Sequence, residues 1–181
     1  MDTDLYWQQF LEKGDNNSFS IIYNHYVDEL YSYGVHLGFQ DEICKDAIQD
    51  VFYKLYISRK KLHHIKKLSA YIFKFYKNRL IDITRKNERT ENIDSFDGDI
   101  SIQNTILDDI IDVENLETVK KKVKSLLDKL SKQQREMIYM KYIYGLNYEE
   151  ISKVLGINTD SVRKFMCRTM KKLREQAGDD R

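Results

Sequence analysis

Not one of the 181 residues is proline. Proline breaks helix interiors, because it lacks the backbone N–H and its ring clashes with the preceding turn. Glycine, the next strongest breaker, occurs seven times. A chain this poor in breakers, with apolar residues recurring at intervals of three and four, is expected to be all-α. Its length allows one domain or two small ones. No apolar run approaches the roughly 20 residues of a membrane span. The opening "MDTDLYWQQFLEKGD" is acidic and lacks a signal-peptide pattern. Cys44 and Cys167 are the two cysteines. Too few for a disulfide framework, they point to a reducing compartment, the cytoplasm.

The formal net charge is +1, but the charges are segregated. Before Val51 only Lys13 and Lys45 are basic, whereas from Lys54 to Arg89 only Asp82 and Glu88 oppose the cations. Glu91 to Glu117 carries acids without Lys or Arg, and from Lys120 the chain is basic again. Two basic blocks split by an acidic spacer suit two contacts with a polyanion. Charge runs are commonly just solvated faces, and charge alone leaves the two readings level.

Helices are expected over 4–13 and 16–37, punctuated by Gly14 and Asp15. In "GFQDEICKDAIQDVFYKLY", Gly38 is the break and Asp41 the expected N-cap. Ile48, Val51, Phe52 and Leu55 form a buried stripe that Cys44 extends, making it a core thiol. Another face gathers Asp46, Asp50, Tyr53 and Ile57, acids interleaved with exposed apolar groups, as on a docking surface. "ISRKKLHHIKKLS" is a basic connector, with Ser69 the expected cap of the next helix. In that helix Ile72, Tyr76, Leu80 and Ile83 point inward. Tyr71, Lys74, Asn78, Ile81 and Arg85 share a second face with Lys77 nearby, a mixture suited to stacking on bases and meeting phosphates.

From about Asn87 to Glu114 the helical pattern lapses, and the segment reads as a flexible acidic linker with a short helix at Ile102 to Ile111. The period resumes at Leu116. Ser131 is the expected cap of "KQQREMIYMKYIYG", which Gly145 closes as a C′ glycine. Asn147 caps "YEEISKVLG", Gly156 permits a sharp turn, and Asn158 or Thr159 caps the last helix. There Val162, Met166, Thr169 and Leu173 point inward, and Ser161, Lys164, Arg168 and Lys171 form an outward row. This is the pattern of a helix-turn-helix whose second helix enters a major groove.

The segments together resemble a bacterial sigma factor of the extracytoplasmic-function group. "DAIQDVFYKLY" resembles the family's core-polymerase-binding region 2.2. "LSAYIFKFYKNRLIDITRKNER" resembles regions 2.3 and 2.4, which open and read the −10 element. "LLDKLSKQQREMIYMKYIYGLNYEEISKVLGINTDSVRKFMCRTMKKLRE" resembles region 4, which reads the −35 element. The resemblance covers nearly the whole chain except part of the linker. It implies two helical domains, region 2 over 1–88 and region 4 over 116–176, with a linker over 89–115 and a tail over 177–181.

The resemblance also implies partners. These are core RNA polymerase, through its large-subunit clamp helices and flap region, promoter DNA as duplex and as non-template single strand, and an anti-sigma factor. Asp46, Gln49, Asp50 and Phe52 match the core-binding segment, joined on that face by Tyr53 and Ile57. Asn78, Asp82 and Arg85 match the Asn, Asp and Arg positions of the −10 helix, with Tyr71, Lys74 and Lys77 beside them. The connector with Arg59, Lys60, Lys61, Lys66 and Lys67 corresponds to the loop that pockets an extruded base. Thr159, Ser161, Arg163, Lys164, Arg168 and Lys171 lie on the −35 helix. Phe165 stands where the family commonly has Arg, and Cys167 where it often has His. The thinner cation content implies an accessory recruiting protein.

A stand-alone helix-turn-helix regulator would explain Tyr148 to Lys172 but leave Asp46 to Arg85 without a role. An enzyme, such as a metal-dependent nuclease, finds little support. His63 and His64 are adjacent rather than at the i, i+4 spacing of helical metal ligands, and His25 and His36 lack a carboxylate or thiol cluster. No catalytic residue, metal site or cofactor is expected.

Overall fold

The computed structural model describes residues 3–90 and 116–179. Among the described residues every regular element is helical. The chain divides into two compact units, Met1–Asp99 and Ile100–Arg181. The residues assigned to the linker from 91 to 115, with the short helix expected at Ile102 to Ile111, lie outside the described residues.

The first unit holds α1 (Thr3–Lys13), α2 (Asn16–His36), α3 (Asp41–Ile57), a 3₁₀ turn (Arg59–Lys61) and α4 (Leu68–Thr90). Helix α2 packs against α1, α3 and α4, and α3 lies along α4. Asp15 is the N-cap of α2, its carboxylate accepting the backbone N–H groups of Asn17 and Ser18. Those bonds and the Ser18 hydroxyl hold the Asp15 carboxyl below the usual range, the hydroxyl contributing most. The core is strongly aromatic. Trp7, Phe10, Tyr33, Phe73 and Tyr76 are almost wholly buried, together with Ile22, Leu30, Leu55 and Leu80. Cys44 is buried, and burial raises its thiol.

Two expected caps in this unit are corrected. The N-cap of α3 is Gln40, with no side-chain cap bond. Asp41 sits one residue inside, where its carboxylate accepts from Tyr31 Oη and pairs with Lys45 Nζ at 2.6 Å. Ser69 lies inside α4, whose first residue is Leu68. The Leu68 N–H donates to Asp4 Oδ1 at 3.2 Å, so α1 supplies an acceptor at this helix start. Ile72, Tyr76 and Leu80 are buried as expected, and Ile83 is half-buried. Helix α4 continues to Thr90, past the expected domain edge.

The second unit holds α5 (Leu116–Asp128), α6 (Lys132–Tyr142), α7 (Tyr148–Leu155) and α8 (Thr159–Asp179). Helix α8 packs on α5, α6 and α7 and runs to Asp179, through most of the expected tail. Ser131 and Asn147 cap α6 and α7, each within a capping box completed by Gln134 and Glu150. After α6 the C-cap is Ile143. Gly145 therefore falls one position beyond C′, at φ +65, and the Leu146 N–H returns to Met140 O at 2.9 Å. Gly156 is itself the C-cap of α7 at φ +70, a left-handed conformation that glycine adopts without steric cost. Of the two candidates before α8, Asn158 takes the capping role: its Oδ1 accepts the Ser161 N–H at 2.7 Å.

Candidate nucleic-acid interface

In the second unit, the interhelical turn from Leu155 to Asn158 sets the geometry. It delivers α8 with Val162, Met166 and Thr169 buried against the other helices. That register turns Ser161, Lys164, Arg168 and Lys171 to solvent, as the sequence pattern requires. Arg163 is also exposed and pairs with Asp160 at 3.0 Å, while Lys171 lies 3.8 Å from Glu175. Both pairs are exposed and stay within one helix, so they cost little to exchange for a phosphate. Thr159 differs from the row: half-buried, its hydroxyl donates to Ser152 Oγ at 3.2 Å and joins α8 to α7. Phe165 is half-buried, flanking the inward stripe, and Cys167 is exposed.

In the first unit, Lys74, Asn78 and Arg85 are exposed on α4, with Tyr71, Lys77 and Ile81 partly so. Burial raises the Tyr71 phenol, whose ring lies 5.9 Å from that of Phe75. The connector before α4 presents Lys60, Lys61 and Lys66 to solvent. Arg59 does not join them. Its Nη1 donates to the carbonyls of Phe10 and Leu11 at 3.2 and 3.3 Å, closing the end of α1. Its guanidinium also sits over the Phe10 ring. Lys67 is exposed but pairs with Asp4 at 2.7 Å.

On α3, Asp46, Gln49, Tyr53 and Ile57 are exposed, Tyr53 by 64% and Ile57 by 59%. Asp50 is half-exposed and ion-paired with Arg79 of α4, a partner the sequence reading missed. Phe52 is 4% exposed, its ring 4.7 Å from that of Tyr23 and 6.1 Å from that of Phe19. It supports the α3 surface from beneath rather than standing on it. Gln49 also borders a groove of about 300 Å³ between α2 and α3, lined by Tyr23, Val27, Tyr31 and Ile48.

Two family profiles match in chain order. "Sigma-70 region 2" covers residues 22–90 and "Sigma-70, region 4" covers 120–173. The chain belongs to the sigma-70 family. It is similar to two Bacillus subtilis (strain 168) proteins named ECF RNA polymerase sigma factors. SigM is 24% identical over 84% of this chain and 91% of its own, and SigW is 25% identical over 93% and 94%. Two solved structures share the fold at 20% identity. CnrH, bound to the cytosolic domain of CnrY, gives a TM-score of 0.63 over 99% of this chain and all of its own. The sigma factor RpoE, bound to the anti-sigma factor NepR from Bartonella quintana, gives 0.62 over 90% and 98%. As an extracytoplasmic-function sigma factor, the protein directs RNA polymerase to promoters. A stand-alone helix-turn-helix regulator would account for the region 4 match only. Among the described residues no helix is long and apolar enough to cross a membrane.

Proposed function

We propose that the two units divide promoter recognition between them while α3 docks on polymerase. Asp46, Gln49, Tyr53 and Ile57 meet the clamp helices of the large subunit, with Asp50 at the edge of the contact. Lys60, Lys61 and Lys66 of the connector, with Tyr71, Lys74, Lys77, Asn78 and Arg85 of α4, hold the non-template strand at the −10 element. Ser161, Arg163, Lys164, Arg168 and Lys171 anchor duplex at the −35 element. The protein acts in the cytoplasm by binding rather than by catalysis. The structural relatives bound to CnrY and to NepR support an anti-sigma partner for this chain as well. The exposed cation row on α8 carries this reading, because it stands in a separate unit from the mixed polar and aromatic face of α4.

The energetics favour shared labour. Separating DNA costs about 1.4 kcal/mol per stacked step, so roughly ten steps cost on the order of 14 kcal/mol. Trapped bases return ~1–3 kcal/mol for each stacking contact. The sigma factor therefore selects the site, and polymerase holds the open state.

Run-off transcription from a promoter library, with core polymerase alone and with this chain added, tests the reading. Start-site choice is expected only with the chain present, and Asn78→Ala is expected to impair opening while sparing polymerase association. Arg168→Ala is expected to weaken upstream duplex binding and lower the salt slope by about 1. Absence of association with core polymerase would overturn the assignment.

A further inference from the structure

The connector between α3 and α4 is held by α1, a helix that neither family profile includes. The ties alternate along the connector. Arg59 donates to the α1 carbonyls of Phe10 and Leu11. Leu62 is buried. The Ile65 carbonyl accepts from Trp7 Nε1 at 2.9 Å. Lys67 Nζ and the Leu68 N–H both reach Asp4, at 2.7 and 3.2 Å. Between these anchors Lys60, Lys61, His63, His64 and Lys66 turn outward. The connector's own bonds are short turns: Lys61 N–H to Ser58 O, Leu62 N–H to Arg59 O, and Ile65 N–H to Leu62 O. Such turns bend the chain but do not fix its position on the bundle. Gly14 completes the arrangement at φ +69, where an added Cβ would come within 2.7 Å of Arg59 Nη1.

We propose that Asp4, Trp7 and Arg59 are positioning residues: through α1 they fix the connector so that its outward residues present one defined surface to an unpaired base. The inference rests on the reading of the connector as a single-strand contact. Trapping a base needs a preformed pocket, since a connector free to move would lose affinity to its own ordering. Lys60 and Lys61 supply charge, and α1 supplies the shape that turns charge into preference.

The test uses full-length chain bound to core polymerase. The probe is fork-junction DNA whose single-stranded non-template overhang has random sequence. Wild type is expected to enrich particular bases at the overhang positions nearest the duplex. Trp7→Phe keeps a buried ring but removes the donor and part of the ring volume, while Asp4→Ala removes both acceptors. Both variants are expected to bind polymerase normally, retain about tenfold less overhang, the scale of one lost stacking contact, and flatten the base preference. Asp4→Glu, which keeps the carboxylate, is expected to recover that preference. Should Asp4→Ala fail to fold, Asp4→Asn replaces it, since its amide oxygen still accepts the Leu68 N–H while the Lys67 pair is lost.

A lower melting temperature with unchanged base preference in these variants would show α1 to be scaffold only and would overturn the proposal. The doubly substituted control, Lys60→Ala with Lys61→Ala, separates the layers. If it weakens overhang retention while Trp7→Phe and Asp4→Ala do not, the positioning role fails. If it leaves retention unchanged, the reading of the connector itself fails.

Discussion

The two units hold the segments proposed to meet DNA by different means. In the first, the connector is tied to residues far away in the chain: Trp7 to Ile65, Asp4 to Lys67 and Leu68, Arg59 to Phe10 and Leu11. In the second, the start of the recognition helix is set by caps three residues apart, Asn147 with Glu150 and Asn158 with Ser161, and one distant tie, Lys172 Nζ to Lys129 O at 2.7 Å, holds its far end. Long-range ties consume charge. Arg59, Lys67 and Asp50, which the sequence places on binding surfaces, each have an internal partner. Local caps use neutral side chains or an acid and leave the cation row of α8 facing solvent. The first unit trades contact groups for the rigidity of an irregular loop. The second commits only Lys172, which lies outside the outward row, because a helix is already rigid.

The largest effect that would break the comparison is expected at Gly34, in the last turn of α2. A Cβ there would collide with Tyr76 Oη of α4 and approach Cys44 Sγ of α3 to 2.7 Å. Overpacking of this kind costs about 1–3 kcal/mol, and alanine's better helix propensity, about 0.5–1 kcal/mol in a helix interior, offsets less of it in a last turn. Gly34→Ala is expected to lower the melting temperature of the first unit by roughly 10 °C. The second unit's transition should not move in the same calorimetric scan. A joint shift would mean that the units do not unfold independently.

Glu29 of α2 sharpens the contrast through pH. Burial raises its carboxyl from 4.5 to about 7. The folded state therefore keeps a proton that the unfolded chain releases, and the associated stability is complete below pH 4.5 and lost as pH rises through 7. His36, buried and lowered to about 4, works in the opposite sense, with its stability complete above pH 6.5 and lost as pH falls through 4. His25, lowered mainly by burial, acts with His36. Glu29→Gln is expected to stabilise the first unit at pH 8 by on the order of 2 kcal/mol. Below pH 6.5 it should leave the histidine-driven decline, joined below about pH 4 by the loss from Asp15 and Asp41, whose carboxyls are held low by their hydrogen bonds. Denaturant titrations across pH check both, and an unchanged slope between pH 5 and 8 would refute the assignment to Glu29.

What the sequence made legible follows the same division. The caps at Ser131 and Asn147, the inward stripe of α8 and the helix-turn-helix all depend on neighbours within a few residues, and all can be read directly. The ties of Trp7, Asp4 and Arg59 join positions separated by 48 to 64 residues. No periodicity announces them, because they exist only once α1 has packed beside the connector. Arg79 was missed for the same reason: its partner Asp50 lies on another helix. Phe73 is buried although the expected stripe omitted it, since α4 faces both α2 and α3 and so buries a wider sector than one contact needs. The cap of α3 was misplaced by one residue because Asp41, a good capping type, is engaged by Tyr31 and Lys45 instead.

The smallest effect isolates the local mechanism. Asn147 Oδ1 accepts the Glu150 N–H at 3.0 Å, and the Glu150 carboxylate accepts the Asn147 N–H at 2.8 Å. Helix α7 has only eight residues, too few to persist without packing and caps. Asn147→Ala removes one acceptor and is expected to cost about 1 kcal/mol, whereas Asn147→Asp keeps an oxygen in place and should cost far less. The loss should appear as a lower melting temperature of the second unit alone, with an unaltered single-strand preference. Glu150→Ala should behave similarly but more weakly, because the Asn147 N–H that it leaves is exposed and can turn to water. Were Asn147→Ala to disturb the first unit's single-strand preference as well, the separation into a tied loop and a capped helix would not hold.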